Sequence, residues 1–283
     1  MKNYIVLMKL RVVELLLVTT VPALFLAANG VPDLAVTVWS LFGGTLAAGG
    51  ANAFNMVIEA DTDRLMKRTA NRPISNGQIS KQNGLIFSFL VSIISLAIFY
   101  IFTTPLATLL TALAIVFYVL GYTILLKSNT SQNIVWGGIA GCMPVLIGQA
   151  AVSNSLSLTS LLFFLVVFFW TPPHFWALAV RYKSDYQAAG IPMLPVVAPI
   201  KTVIRQMWFH SISMMVVSLL VIQTAKLGNW MFILTLLLLI FWKLQLINIT
   251  REPSEANAGR LFQASIVFLS IYSLLLVIGV VLK

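Results

Sequence analysis

Nine apolar runs succeed one another along the chain, separated by short polar segments. A helix of about twenty apolar residues crosses the hydrocarbon core of a bilayer, and it satisfies its own backbone hydrogen bonds there. The pattern therefore predicts an all-α, polytopic membrane bundle of nine transmembrane helices. The predicted spans are residues 12–29, 34–56, 84–103, 105–126, 132–152, 158–180, 203–224, 229–248 and 261–282.

Composition agrees with this reading, because 59% of the residues are hydrophobic and only 9% are charged. A soluble domain would carry roughly a quarter charged residues. The first apolar run lacks a small-residue cleavage site, and no transit peptide is visible, so we expect a retained span in a bacterial-type plasma membrane. The single cysteine, Cys142, excludes an internal disulfide. We expect one transmembrane domain over residues 1–283.

The net charge of +10 is explained by topology. With the N-terminus in the cytoplasm and the C-terminus outside, sixteen of the eighteen Lys and Arg residues fall on the cytoplasmic side. Only Lys226 and Lys283 fall outside. This asymmetry is the positive-inside pattern of membrane proteins. The basic excess therefore indicates a lipid bilayer as the partner and excludes a nucleic-acid role.

Two cytoplasmic loops are long, at about residues 60–82 and 181–202, whereas the outer loops are short. Long loops in a compact protein tend to carry function. They follow the second and sixth predicted spans, four spans apart. We therefore expect both to lie over one active site.

Asn55, Glu59 and Asp63 recur every four residues where the second span ends. On a helix this spacing places all three along one stripe, with Asp61 on another side. Oxygen ligands on one face suit Mg²⁺, which binds one or two carboxylates and completes its shell with water and phosphate oxygens. An alternative is an acidic helix end neutralised through ion pairs by nearby bases. These bases are Arg64, Lys67 and Arg68.

Bases near the stripe are candidates for binding a phosphorylated ligand. Arg68 and Arg72 follow the acids directly, and a guanidinium can clamp phosphate oxygens in a bidentate manner. Lys127 lies at another inner helix end. For any single base, the positive-inside bias is a sufficient explanation. Asp185 is the only carboxylate of the second long loop, and it either caps a helix or holds a second metal ion.

The chain has two histidines, His174 and His210, each inside a predicted span. Counted from Arg181 and Arg205, they lie roughly 10 Å and 8 Å below the inner surface. Polar residues within spans usually face the bundle interior or a cavity. Imidazole is also a common axial ligand of haem iron. A hydrogen-bonded histidine of the core is the alternative for either residue.

Four stretches, 55–73, 122–138, 171–179 and 185–195, resemble the UbiA superfamily of intramembrane prenyltransferases, and within it the haem branch. Its specific strings here are Pro172-Pro-His-Phe-Trp176 and Asp185-Tyr-Gln-Ala-Ala-Gly-Ile-Pro192. The aromatic prenyltransferases of the superfamily carry a second motif, Asp-x3-Asp. Arg181 stands at its first position here, so only Asp185 remains, a departure that fits the haem branch.

The resemblance implies farnesyl diphosphate and haem b as substrates, Mg²⁺ as cofactor, and haem O and diphosphate as products. It implies that Asn55, Glu59 and Asp63 bind the metal and diphosphate. Haem would lie near the inner surface with its iron on His174, His210 or both. Alternatives are prenyl transfer to an aromatic quinone precursor and non-catalytic haem binding or transport. Oligomeric state and docking of a haem A synthase stay open.

Overall fold

The computed structural model describes residues 2–67 and 69–283, with the backbone alone at Arg11 and Val12. The described chain forms thirteen α-helices, and a π-helical segment, Phe117–Leu126, continues the sixth. In chain order they are α1 (Lys2–Leu7), α2 (Leu10–Ala28), α3 (Leu34–Ile58), α4 (Ala60–Arg64), α5 (Lys81–Phe102), α6 (Pro105–Val116), α7 (Asn133–Ser153), α8 (Leu158–Arg181), α9 (Lys183–Ala188), α10 (Leu194–Val197), α11 (Ile200–Thr224), α12 (Asn229–Arg251) and α13 (Glu255–Val281).

The predicted helical membrane bundle is confirmed. Within the described chain, eight helices are long and apolar enough to cross a membrane, and α2 adds a shorter apolar stretch, Val13–Ala28. Each predicted span falls on one of these nine helices, so the count of nine includes one short member. The largest difference in bounds is at α13, which begins at Glu255 and not at 261. Its start is fixed by Ser254, whose Oγ accepts the N–H of Asn257.

The core of the bundle lies around α8, which packs against α7, α11 and α13. Large side chains are fully buried there, including Phe163, Trp176 and Tyr272. Tyr272 Oη donates a 2.9 Å hydrogen bond to the carbonyl of Ser218, as a buried phenol requires. α8 stays helical through Pro172 and Pro173, so the residues that follow remain inside the bundle.

Close packing of α3 against α5 fixes the inner end of α3. Ser95 Oγ donates a 2.7 Å hydrogen bond to the carbonyl of Gly43. At Gly50 a Cβ would lie 3.2 Å from the carbonyl oxygen of Ser88 and would overlap Ser92 Oγ, so the lack of a side chain lets α3 and α5 approach closely there. Asn55 lies five residues further along the same helix.

Both long loops lie at the same end of the bundle, which we name the loop end. The first contains α4, and the second contains α9 and α10. Met66 of the first loop belongs to one buried cluster with Tyr186, Ile191 and Met193 of the second. This contact joins the loops into a cover, as predicted from their length.

Candidate functional site

A cavity of about 870 Å³ lies beneath this cover. Residues of α2, α3, α5, α6, α7, α8, α13 and the π-helical segment form its walls, together with residues of both loops. Its polar residues at the loop end include Lys9, Asn55, Glu59, Asp63, Arg72 and Lys127.

The predicted stripe is present although α3 ends at Ile58. Glu59 N–H still donates to the carbonyl of Asn55 at 2.9 Å, and Asp63 N–H donates to the carbonyl of Glu59 at 2.8 Å. The four-residue helical spacing therefore continues across the boundary between α3 and α4. All three side chains are buried and line the cavity.

Two carboxylates of the stripe each contact a base on the cavity wall. Lys127 Nζ lies 2.5 Å from both Glu59 carboxylate oxygens. Arg72 Nη1 donates to Asp63 Oδ2 at 2.6 Å. The cavity therefore holds acid and base within contact distance, which suits a site for a metal ion and an anionic ligand together.

Asn55 has the same arrangement with a third base, Lys9, which sequence reasoning missed. Lys9 Nζ donates to Asn55 Oδ1 at 2.7 Å, and Asn55 Nδ2 donates to Thr123 Oγ1 at 3.2 Å. Lys9 has φ 51°, a region that residues other than glycine rarely adopt. Burial, with the nearby charge of Arg72, lowers the pKa of Lys9 to about 7. The sequence predicts only a membrane-surface charge at this position.

Asp61 lies away from the cavity. Its side chain is 70% exposed and pairs with Lys81 at 2.8 Å and with Arg64 at 3.3 Å. The hydrogen bond and charge of Lys81 lower the pKa of the Asp61 carboxyl. The ion pairing predicted for the helix end with Arg64 is thus found at Asp61, whereas Glu59 and Asp63 pair inside the cavity.

Of the two histidines, His174 lines the cavity and His210 does not. The His174 ring stacks between Trp170 and Phe262, at centroid distances of 4.2 Å and 4.6 Å. His210 is buried among aromatic side chains between α8 and α11, with Trp176 at 5.5 Å. A binding role for both histidines in one site is therefore not supported by their positions.

One further predicted residue, Asp185, does not line the cavity. Asp185 lies half-buried on α9 and is not among the residues that line the cavity, although the neighbouring Tyr186 is. The structure therefore does not bring the Asp185 carboxylate to the cavity wall beside the stripe. Arg68 lies outside the described residues.

Away from the loop end the cavity is mostly apolar. Its wall along α3 runs from Asn55 to Ser40, about 22 Å at 1.5 Å per residue. At Gly44 a Cβ would meet no atom within 4 Å, so the missing side chain leaves open space. Glu14 also lines the cavity and was given no role from the sequence. The aromatic residues of the wall are Phe99, Tyr118, Tyr122, Trp170, Phe175, Tyr186 and Phe262.

The donor set at the stripe fits Mg²⁺. It offers two carboxylates and one amide oxygen, all hard oxygen ligands, and Mg²⁺ in phosphate sites is usually held by one or two carboxylates. Among the described residues no group of three or more His, Cys, Asp or Glu side chains forms a metal cluster. With only two carboxylates, a metal site at the stripe would leave coordination positions for phosphate oxygens and water.

Comparisons with known proteins agree on one family. Residues 16–272 match the model of the UbiA prenyltransferase family. The chain is 45% identical over 276 residues to a protoheme IX farnesyltransferase of Streptomyces avermitilis, covering 95% of this chain and 90% of the relative. It is 43% identical over 290 residues to the enzyme of that name from Streptomyces coelicolor, covering 100% of this chain and 91% of the relative.

Solved structures show the same fold. A digeranylgeranylglyceryl phosphate synthase aligns over 100% of this chain and 99% of its own, with a TM-score of 0.83 at 17% identity. A UbiA homologue from Archaeoglobus fulgidus bound to DMAPP and Mg²⁺ aligns over 97% of this chain and 99% of its own, with a TM-score of 0.73 at 15% identity.

Proposed function

Because the chain belongs to the UbiA prenyltransferase family, we propose that it transfers the farnesyl group of farnesyl diphosphate to a vinyl group of haem b, giving haem O and diphosphate. The observation that carries this proposal is the shared cavity, whose wall includes both the stripe of acids with their bases and His174. The wall takes residues from Lys9 to Ser270, so we propose that the chain acts as one domain.

In this proposal Asn55, Glu59 and Asp63 hold Mg²⁺. The bound ion would neutralise charge on the departing diphosphate, a Lewis-acid effect worth several kcal/mol. Arg72 and Lys127 line the same cavity and would exchange their carboxylate partners for diphosphate oxygens, adding fixed positive charge where negative charge develops. Arg68 keeps the same predicted role.

The apolar part of the cavity along α3 would hold the farnesyl chain. Small residues, Gly44 and Ala47, leave room there, and Phe99 closes part of the wall. A water-poor cavity protects an allylic cation from early capture, and aromatic faces stabilise it electrostatically.

The opposite wall, formed by α8 and α13, would hold haem with its iron on His174. The porphyrin vinyl group attacks C1 of the farnesyl group, so a C–C bond forms as the C–O bond to diphosphate breaks. Water then adds to the resulting porphyrin-side cation, and its proton leaves with diphosphate. No oxidant or reductant is required. This sequence gives a hydroxyethylfarnesyl substituent.

Purified protein supplied with farnesyl diphosphate, Mg²⁺ and one acceptor tests the proposal. With haem b we expect a product whose mass has gained one farnesyl group and one hydroxyl group. Transfer to a hydroxybenzoate-type acceptor, with haem unchanged, would favour the quinone-precursor alternative. Haem binding unaffected by farnesyl diphosphate, without product, would favour a non-catalytic haem protein.

We also propose a plasma-membrane location with the N-terminus and the loop end in the cytoplasm. The sixteen-to-two distribution of Lys and Arg supports this orientation. A cysteine-accessibility experiment with single cysteines at Lys81 and Lys226 tests it, since only the Lys226→Cys protein should react from outside.

Docking of a haem A synthase has no support from the relatives or from the described surface, and forms no part of the proposal.

A further inference from the structure

Ser265 on α13 makes an unusually constrained set of contacts. Its Oγ lies 2.5 Å from the carbonyl oxygen of Phe262 and 2.5 Å from Nδ1 of His174. Two oxygen atoms at that separation repel each other unless a proton lies between them. A carbonyl has no proton to give, so the hydroxyl proton of Ser265 must point at Phe262.

The direction of the second hydrogen bond follows. A serine hydroxyl has one proton and two acceptor lone pairs. Since that proton is used on Phe262, Ser265 Oγ can only accept from His174. Nδ1 of His174 therefore carries the imidazole proton, and in the neutral ring Nε2 carries the lone pair.

The surroundings of the ring leave Nε2 for the cavity. Trp170 and Phe262 cover the two faces of the His174 ring at interplanar angles of 20° and 26°. Trp170 is itself held by Ser265, because its Nε1–H donates to the Ser265 carbonyl at 2.8 Å. Nε2 of His174 makes no hydrogen bond to any described residue. Phe175, which also lines the cavity, packs edge-on to the ring at a centroid distance of 4.9 Å. Because both ring faces are covered and Nδ1 is bonded to Ser265, the edge that bears Nε2 is the remaining part of the ring through which His174 can line the cavity.

We propose that Ser265 is a positioning residue, which fixes His174 in the Nδ1–H tautomer and presents the Nε2 lone pair to the cavity. The further step, that this lone pair binds haem iron, rests on the proposed function. Metal-binding histidines commonly donate their other ring N–H to an oxygen that fixes tautomer and orientation. His210 lacks this arrangement, since its buried Nδ1 has no hydrogen-bond partner among the described residues.

The tautomer can be measured directly because the chain contains only two histidines. Protein labelled with ¹⁵N-histidine, purified on a histidine-free tag without added haem, would show two imidazoles by NMR. The His210→Phe variant assigns the signals of His174. We expect a protonated Nδ1 and an unprotonated Nε2. A protonated Nε2 in the otherwise unchanged protein would overturn the proposal, whatever the protein's function.

Ser265→Ala should remove the acceptor, so that the proton is no longer confined to Nδ1. Ser265→Thr, which keeps the hydroxyl, should retain the wild-type pattern. Ser273→Ala is a matched control, since it removes another buried hydroxyl of α13 that does not line the cavity. Farnesyl diphosphate binding reports that each variant is folded. An unchanged His174 spectrum in folded Ser265→Ala protein would contradict the positioning role.

Haem titration followed by the Soret band separates this proposal from the proposed function. We expect Ser265→Ala to weaken haem binding about tenfold or more, while Ser265→Thr and Ser273→Ala stay near wild type. Binding that responds to His174→Ala but not to Ser265→Ala would contradict the role of Ser265. If haem binding is unchanged in His174→Ala, iron ligation by His174 is contradicted. The NMR result would still decide the tautomer.

Discussion

Lys127 and Glu59 meet in the cavity although 68 residues separate them, with Lys127 Nζ 2.5 Å from both carboxylate oxygens. The pair links the end of the π-helical segment to the end of α3, and both side chains are largely buried. A buried acid that loses its base is left with an uncompensated charge, which is costly. Lys127 is therefore tied to the stability of the stripe, in addition to its proposed role in diphosphate binding.

Replacing Lys127 with methionine should lower kcat/KM for farnesyl diphosphate about 100-fold, the usual effect of losing one preorganised group opposite developing charge. Lys81→Met is the matched control, because Lys81 pairs with the exposed Asp61 outside the cavity. Steady-state kinetics with both variants checks this. Equal rates for the two variants would exclude Lys127 from the diphosphate site.

The stability component of the same pair can be measured separately. Lys127→Met alone should lower the melting temperature, since it leaves Glu59 buried and unpaired. Adding Glu59→Gln should recover most of the melting temperature but no activity. Thermal unfolding in detergent together with turnover decides this, and recovered activity in the double variant would show that Glu59 has no role in the reaction.

The two histidines should behave differently. His174→Ala should abolish the Soret signature of a histidine-ligated haem and lower turnover, because His174 lines the cavity. His210→Phe should keep both properties, since His210 packs among aromatic side chains away from the cavity wall. Difference spectra on haem addition make the comparison. The reverse result would place the haem between α8 and α11.

Gly44 should control how long a prenyl chain fits. It lies eleven residues from Asn55, about 16 Å along α3, and a side chain there would enter open cavity space. Gly44→Leu should therefore lower the rate with farnesyl diphosphate more than with the shorter geranyl diphosphate. Phe42→Leu, an exposed position on the same helix, is the control. An unchanged ratio of the two rates would mean that the chain lies elsewhere.

The bundle could be predicted from the sequence because a membrane span has a fixed minimum length, and nothing but an apolar run satisfies it. Counting spans also placed both long loops correctly at one end, because an even number of spans separates them. The sequence also predicts that Asp61 and Asp63 point to different sides of the helix. Residues two positions apart on an α-helix differ in direction by more than half a turn.

The sequence could not predict which side of each helix faces the cavity and which side packs against a neighbouring helix. His174 and His210 have similar predicted depths, yet only His174 faces the cavity, because that depends on how α8 and α11 pack. Lys9 reaches Asn55 only through a left-handed turn before α2, which no sequence signal such as glycine marks. Ser265 is an ordinary small residue of a span until its contacts with His174 are known.

Two single substitutions, one in the stripe and one beside it, test whether the carboxylates of the stripe are required for the reaction. Asp63→Asn and Asp61→Asn change neighbouring aspartates, one buried against Arg72 and one exposed. Farnesylated haem would be quantified by mass spectrometry after incubation with farnesyl diphosphate, haem b and titrated Mg²⁺. We predict Mg²⁺-dependent product in the wild type and Asp61→Asn, and a loss of about 100-fold or more in Asp63→Asn. Product formation by Asp63→Asn at the wild-type rate, or turnover independent of Mg²⁺, would contradict this mechanism.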